Sequence, residues 1–109
     1  EEYIAFLDVF PLAEGHVLVV PKKETDYLFD LDDTHLSGIF VFAKSVAQAL
    51  KKVVTCKRIG VAVIGLEVPH AHIHLIPLQS VDDINFSRPK LKVAPERLQE
   101  ITNRIKAEF

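Results

Sequence analysis

Three histidines alternate with apolar residues in the run from His70 to Leu75, and this spacing is the strongest chemical signal in the sequence. On an extended strand, side chains two positions apart point to the same face, about 6.6–7 Å from one another. His70, His72 and His74 are therefore expected to form one row. Imidazole has an ordinary pKa near 6.5, so it stays partly uncharged at cellular pH and can act as a nucleophile, base or ligand. The row indicates an active site.

Two other interpretations of these histidines stay open from the residues alone. A single histidine in a strand is usually a core or surface residue, although three in strict alternation, out of five in the chain, exceed what composition would place there. A His-x-His pair also suits zinc, because imidazole is a common zinc ligand and a third ligand can come from another segment.

The composition fits one domain over residues 1–109, with 49% hydrophobic side chains and enough length to bury a core. A net charge of −2 gives no positive field for a nucleic-acid polymer. No apolar stretch approaches the roughly 20 residues that cross a bilayer, and a single cysteine, Cys56, fits a reducing compartment. We therefore expect a cytoplasmic protein without a membrane or nucleic-acid partner. Because the sequence lacks methionine and begins at Glu1, we also expect a missing N-terminal segment.

The elements that would position the histidines begin with a hairpin. Residues 3–7 and 16–20 are β-prone runs, separated by turn signals at Pro11 and Gly15. From residue 34 to about 52, apolar side chains recur every three or four positions, which predicts a long amphipathic helix.

The second half of the chain predicts a second hairpin and a closing helix. Residues 58–65 predict a third strand, and the histidine run 70–77 predicts a fourth. The segment 80–92 has no clear period and is expected to be a surface loop. Pro95 suits the first position of a closing helix. The pattern is typical of an α+β domain, an antiparallel sheet with helices on one side.

Two blocks of the sequence resemble the histidine triad family. The run from His70 to Ile76 matches the family hallmark His-φ-His-φ-His-φ-φ, where φ is apolar. Residues 6–9 followed by 15–23 are similar to the family's first hairpin, which has its own histidine. The resemblance covers about residues 3–78. It implies a HIT-like α+β fold, an antiparallel sheet of about five strands with a long central helix and a C-terminal helix.

The resemblance also implies a nucleotide hydrolase or transferase that acts at the α-phosphate of a purine nucleotide, as a phosphoramidase does. His72 would be the nucleophile and form a nucleotidyl-histidine, with its Nδ1 proton donated to the His70 carbonyl. His74 and His16 would stabilise charge on the phosphate, and His70 would be a supporting residue. No metal or cofactor is expected, because imidazole supplies the nucleophile.

Substrate-binding residues are implied in the first hairpin. Asp8 would accept hydrogen bonds from the ribose hydroxyls, and Phe6, Val9 and Leu18 would form an apolar slot for the base. A turn role for Asp8 and core roles for the other three stay open. Because family members of this branch are commonly two-fold dimers, the chain is expected to be a homodimer through its long helix and a sheet edge.

One segment departs from the family pattern. Before the triad, family members usually have an asparagine and a Gly-Gln-Ser/Thr-Val stretch that hydrogen-bonds the phosphate, whereas this chain has Leu66 and Glu67 there. An apolar side chain cannot donate a hydrogen bond, and a carboxylate repels phosphate. Glu67 is a candidate contact for a cationic leaving group. The alternative function is a nucleotide-binding regulatory module with weak or no turnover.

Overall fold

The computed structural model describes residues 2–109, which form four strands and two α-helices. In chain order these are β1 (Tyr3–Leu7), β2 (Val17–Pro21), α1 (Asp33–Val53), β3 (Arg58–Ala62), β4 (Ile73–Leu78) and α2 (Pro95–Lys106). Short 3-10 helices lie at Leu28–Asp30 and Val81–Ile84. The strands form one antiparallel sheet in the order β1-β2-β4-β3. The predicted α+β architecture is confirmed, with four strands among these residues where about five were expected.

One face of the sheet packs against the helices. Helix α1 begins after Asp32, whose carboxylate accepts the His35 N–H at 2.8 Å. Pro95 opens α2, as its position in the sequence predicted. The buried side chains that join sheet and helices include Val17, Val19, Ile73 and Leu75 from the strands, Ile39, Ala43, Val46 and Leu50 from α1, and Ile101 and Ile105 from α2. Neither helix between residues 2 and 109 is long and apolar enough to cross a lipid bilayer.

The opposite face of the sheet carries the candidate functional side chains. Leu18 on β2 lies directly across from His74 on β4, and Phe6 on β1 continues the same row. Strand pairing on β4 begins at Ile73, so the predicted strand over 70–77 starts three residues later. Residues 66–70 form a bend, and residues 71 and 72 belong to no strand, so His70 and His72 precede the paired part of β4.

Candidate active site

The backbone holds the central histidine of the triad in one tautomer. His72 Nδ1 lies 2.7 Å from the carbonyl oxygen of His70. Because a carbonyl only accepts, Nδ1 carries the proton and donates it. In the uncharged ring, the lone pair then lies on Nε2. His72 is half-buried and lines a cavity, so this arrangement suits a nucleophile.

His16 and His74 are buried and share a hydrogen bond whose direction is fixed by a third group. The Leu12 N–H donates to His16 Nδ1 at 3.0 Å, so the proton of the neutral His16 ring lies on Nε2. That Nε2 is 2.9 Å from His74 Nδ1 and donates to it. The proton of His74 therefore lies on its own Nε2. The His74 and His72 rings meet edge to face, with centroids 4.8 Å apart, so this donor belongs to the same site.

Burial keeps the two inner histidines uncharged. It lowers the pKa of His74 to about 4, and the nearby His16, His72 and Lys90 act in the same direction, while Asp8 opposes them. Burial also lowers the pKa of His16, again with Asp8 acting in the opposite direction. Both rings are therefore neutral at pH 7, which is the state that the hydrogen bond between them requires.

The loop between β1 and β2 places His16 and Asp8 together. Gly15 has a φ of 96°, and a Cβ there would lie 2.9 Å from Val54 Cγ2, so the turn before His16 requires glycine. The Asp8 N–H donates to the His16 carbonyl at 2.9 Å. The Asp8 carboxylate accepts the Phe10 N–H at 2.9 Å, and its Oδ2 is 3.9 Å from His16 Nε2. Asp8 thus has the turn contact considered for it and also faces the site.

A cavity of about 380 Å³ opens beside these side chains, within the size range of small-molecule sites. The residues predicted from the sequence that line it are Asp8, His16, Leu18, His72 and His74. The remaining lining residues are Ile64, Gly65, Leu66, Glu67, Val68, Phe86 and Lys90. The fold therefore brings both predicted blocks of the sequence to one place.

Three predicted site residues do not line the cavity. His70 Nε2–H donates to the Pro21 carbonyl at 2.9 Å, so its ring faces β2. Phe6 shares the face of Leu18 but lies on the edge strand with 47% of its surface exposed, and Val9 follows that strand with 57% exposed. His72 and His74 line the cavity together, as alternation predicts, but the expected row of three fails at His70, whose ring bonds the Pro21 carbonyl instead.

Sequence reasoning missed two residues from the segment 80–92. The Phe86 ring centroid is 4.7 Å from that of His74 and 6.3 Å from that of His16. Lys90 Nζ donates to the Phe86 carbonyl at 2.9 Å. This segment was expected to be a surface loop, yet it covers the inner histidines. The available signal was that Phe86 is the one aromatic residue between positions 79 and 94.

Asp8, His16 and His74 form the one candidate group of metal ligands within residues 2–109, with ligand atoms within 4.8 Å of one another. A metal on His16 Nε2 would displace the proton there, and a neutral ring would then carry it on Nδ1. That proton would face the Leu12 N–H, which now donates to Nδ1. The hydrogen bonding therefore fits a proton-bearing pair better than an ion, and it weakens the zinc interpretation.

Comparisons of the sequence with known proteins agree with one another. A family model described as the HIT domain matches residues 1–81. An uncharacterized HIT-like protein of Borreliella burgdorferi is 33% identical over 110 residues, which cover 94% of this chain and 79% of that protein. The adenosine 5′-monophosphoramidase of Saccharomyces cerevisiae is 39% identical over 74 residues, 67% of this chain. The aligned part spans 47% of the yeast enzyme, less than half of its length.

The fold comparison gives the same result. The crystal structure of a Hit-like protein from Bartonella henselae, described as involved in cell-cycle regulation and holding an unknown ligand, superposes with a TM-score of 0.85. The two sequences are 31% identical, and the match covers 99% of this chain and 81% of that one. The match thus extends through the C-terminal segment that follows residue 81.

Proposed function

Because the chain belongs to the histidine triad (HIT) family, we propose that it is a nucleotide hydrolase or transferase acting at the α-phosphate of a purine nucleotide, with nucleoside phosphoramidates as the substrate class. The relative from Saccharomyces cerevisiae is an adenosine 5′-monophosphoramidase, which supports this class. The observation that carries the proposal is the His72 ring, fixed through Nδ1 by the His70 carbonyl and lining the cavity.

The proposed reaction has two steps. First, His72 Nε2 attacks phosphorus, and the N–P bond forms as the bond to the leaving amine breaks; the amine takes a proton from water. The His70 carbonyl stabilises the positive charge that this places on the His72 ring. Second, water attacks phosphorus and the His72–phosphorus bond breaks, which releases the nucleoside monophosphate and one proton; that proton neutralises the hydroxide left when the amine took its proton from water. The neutral histidine is restored.

Neighbouring side chains support these steps by binding the substrate. His74 Nε2–H is a neutral donor for a phosphate oxygen, positioned by the bond from His16. Asp8 would accept the ribose hydroxyls with the oxygen that does not bond Phe10. Leu18 supplies apolar surface for the base. Phe6 and Val9, which lie outside the cavity, receive no role here.

A second candidate function is a nucleotide-binding module with slow turnover. The observation that favours it is the loop before β4, which contributes Leu66, Glu67 and Val68 to the cavity but no hydroxyl or amide side chain among residues 63–68. Such donors stabilise charge in the transition state, so their absence reduces rate more than binding. Glu67 would then discriminate among leaving groups, favouring cationic ones.

Trapping the covalent intermediate separates these functions. Wild-type protein is mixed briefly with adenosine 5′-phosphoramidate, quenched, and analysed by mass spectrometry for an adenylyl adduct, while AMP release is followed separately. We expect adduct and turnover in the wild type and neither in His72→Ala, with His35→Ala as a matched control at the start of α1. AMP binding without adduct or turnover would favour the binding module. Undiminished turnover by His72→Ala would overturn the proposed mechanism.

The assembly is proposed to be a homodimer. Val41 on α1 is 68% exposed and Val61 on the edge strand β3 is 54% exposed. Val61 pairs with Leu75, so it shares the sheet face that packs against α1. Burial of both valines against a second copy would cover apolar surface that one copy leaves in water.

The proposed location is the cytoplasm. Cys56 is the one cysteine of the sequence and is partly buried as a free thiol. A free thiol is typical of a reducing compartment.

A further inference from the structure

We propose that Lys90 is a phosphate-binding residue of this site, supplying the positive charge that meets the phosphate of a bound nucleotide. The inference rests on the proposed function, because it concerns the same cavity. It adds a residue from beyond the part of the chain that the family model matches, which ends at position 81.

Lys90 is the one cationic side chain among the described residues that line the cavity. Its Nζ donates to the Phe86 carbonyl at 2.9 Å and lies 5.9 Å from the centroid of the Phe86 ring. Both of these partner groups are uncharged. No carboxylate oxygen of residues 2–109 lies within salt-bridge distance of this Nζ. Lys90 therefore lines the cavity beside the histidines, and its ammonium group has no anionic partner among residues 2–109.

The segment that carries Lys90 is fastened to the site on both sides of that residue. The Phe86 ring packs against His74, with ring centroids 4.7 Å apart. The Leu91 N–H donates to the Pro11 carbonyl at 2.8 Å, which joins the segment to the loop containing His16. The backbone at Lys90 is thereby held near the cavity, while its long side chain can exchange the Phe86 carbonyl for a stronger, anionic acceptor.

The charge of the site explains why a phosphate needs this residue. Burial holds His74 neutral, with a pKa of about 4, so its N–H gives a phosphate a hydrogen bond but no charge. The loop before β4 contributes Leu66 and Glu67 to the cavity, and neither side chain donates a hydrogen bond. Lys90 lowers the pKa of both His16 and His74, so its charge reaches the place where the proposed mechanism puts the phosphate.

The experiment compares a charged ligand with its uncharged counterpart. Binding of AMP and of adenosine is measured by calorimetry for the wild type, Lys90→Met, Lys90→Arg and Lys92→Met. Lys92 is the control, because it is an exposed lysine two residues away that does not line the cavity. We expect Lys90→Met to weaken AMP binding about tenfold, the loss typical of a hydrogen bond to a charged group. Adenosine binding should not change, Lys90→Arg should retain most of the AMP affinity, and Lys92→Met should match the wild type.

The outcomes distinguish this inference from the proposed function. If the wild type forms the adenylyl adduct but Lys90→Met binds AMP as tightly as the wild type, the role of Lys90 is refuted and the proposed function stands. An equal loss of AMP and adenosine affinity also refutes it, because that pattern indicates a damaged cavity rather than a lost phosphate contact. If the wild type binds no AMP and forms no adduct, the proposed function fails together with the inference.

Discussion

Acidification should destabilise this protein through His74, and the size of the effect follows from the structure. Burial lowers the pKa of this ring from 6.5 to about 4 in the folded chain. Below pH 6.5 the unfolded chain therefore binds a proton that the folded chain does not. The stabilisation by neutral His74 is complete above pH 6.5 and is lost as the pH falls toward 4. With about 1.36 kcal/mol for each pH unit between the two values, the loss is about 2 kcal/mol at pH 5 and about 3 kcal/mol at pH 4.

His74→Asn isolates this contribution. The asparagine Oδ1 can replace Nδ1 as the acceptor of the His16 Nε2–H, but it does not titrate in this range. The free energy of unfolding is measured in urea at several pH values between 7.5 and 5 for both proteins. The stability difference between wild type and variant should shrink by about 2 kcal/mol over this interval. Ring titration of His74 by NMR gives the pKa of the folded state directly.

Parallel pH profiles for the two proteins, or a His74 ring that titrates near 6.5 in the folded state, would refute this reasoning. Either result would mean that the ring is hydrated rather than enclosed by His16 and Phe86. His16, whose pKa is also lowered by burial, adds a loss of stability in the same direction to both proteins.

Two further predictions concern the turn at Gly15 that precedes His16 and the proposed homodimer. Gly15→Ala should lower the free energy of unfolding by about 1–3 kcal/mol, because it combines a φ of 96° with a Cβ placed 2.9 Å from Val54 Cγ2. Gly65→Ala, with a φ of 74° and no atom within 4 Å of its Cβ, is the control and should cost less in the same urea assay. For the homodimer, sedimentation equilibrium should give twice the monomer mass for the wild type and the monomer mass for Val61→Glu, because a charge at the interface opposes burial. A monomeric wild type would contradict the proposed assembly.

The sequence predicted the elements that periodicity controls. The apolar repeat placed a helix over residues 34 to about 52, and α1 is Asp33–Val53. The hairpin and the closing helix also follow the predicted order. The histidine run was harder to interpret, because alternation fixes a common face only where the chain is extended, and pairing starts at Ile73. The nucleophile candidate and its backbone acceptor were nevertheless paired as expected.

Long-range contacts limited the prediction of the site. Phe86 and Lys90 lie in a segment without periodicity. This segment is joined to the β1–β2 loop by the hydrogen bond that the Leu91 N–H donates to the Pro11 carbonyl. No local pattern reports such a contact. Phe6 illustrates the converse case, because its position resembles the family motif but its edge strand leaves it outside the cavity.

Two main-chain groups determine which nitrogen of each site histidine carries the proton. The Leu12 amide orients His16 and, through it, His74, while the His70 carbonyl orients His72. Every amino acid provides a carbonyl, and every one except proline provides an amide hydrogen. Other side chains at positions 12 and 70 would therefore leave the protonated nitrogen of each ring unchanged. Proline at position 12 would remove the N–H that donates to His16. The tautomers of the three histidines are therefore insensitive to most substitutions at positions 12 and 70.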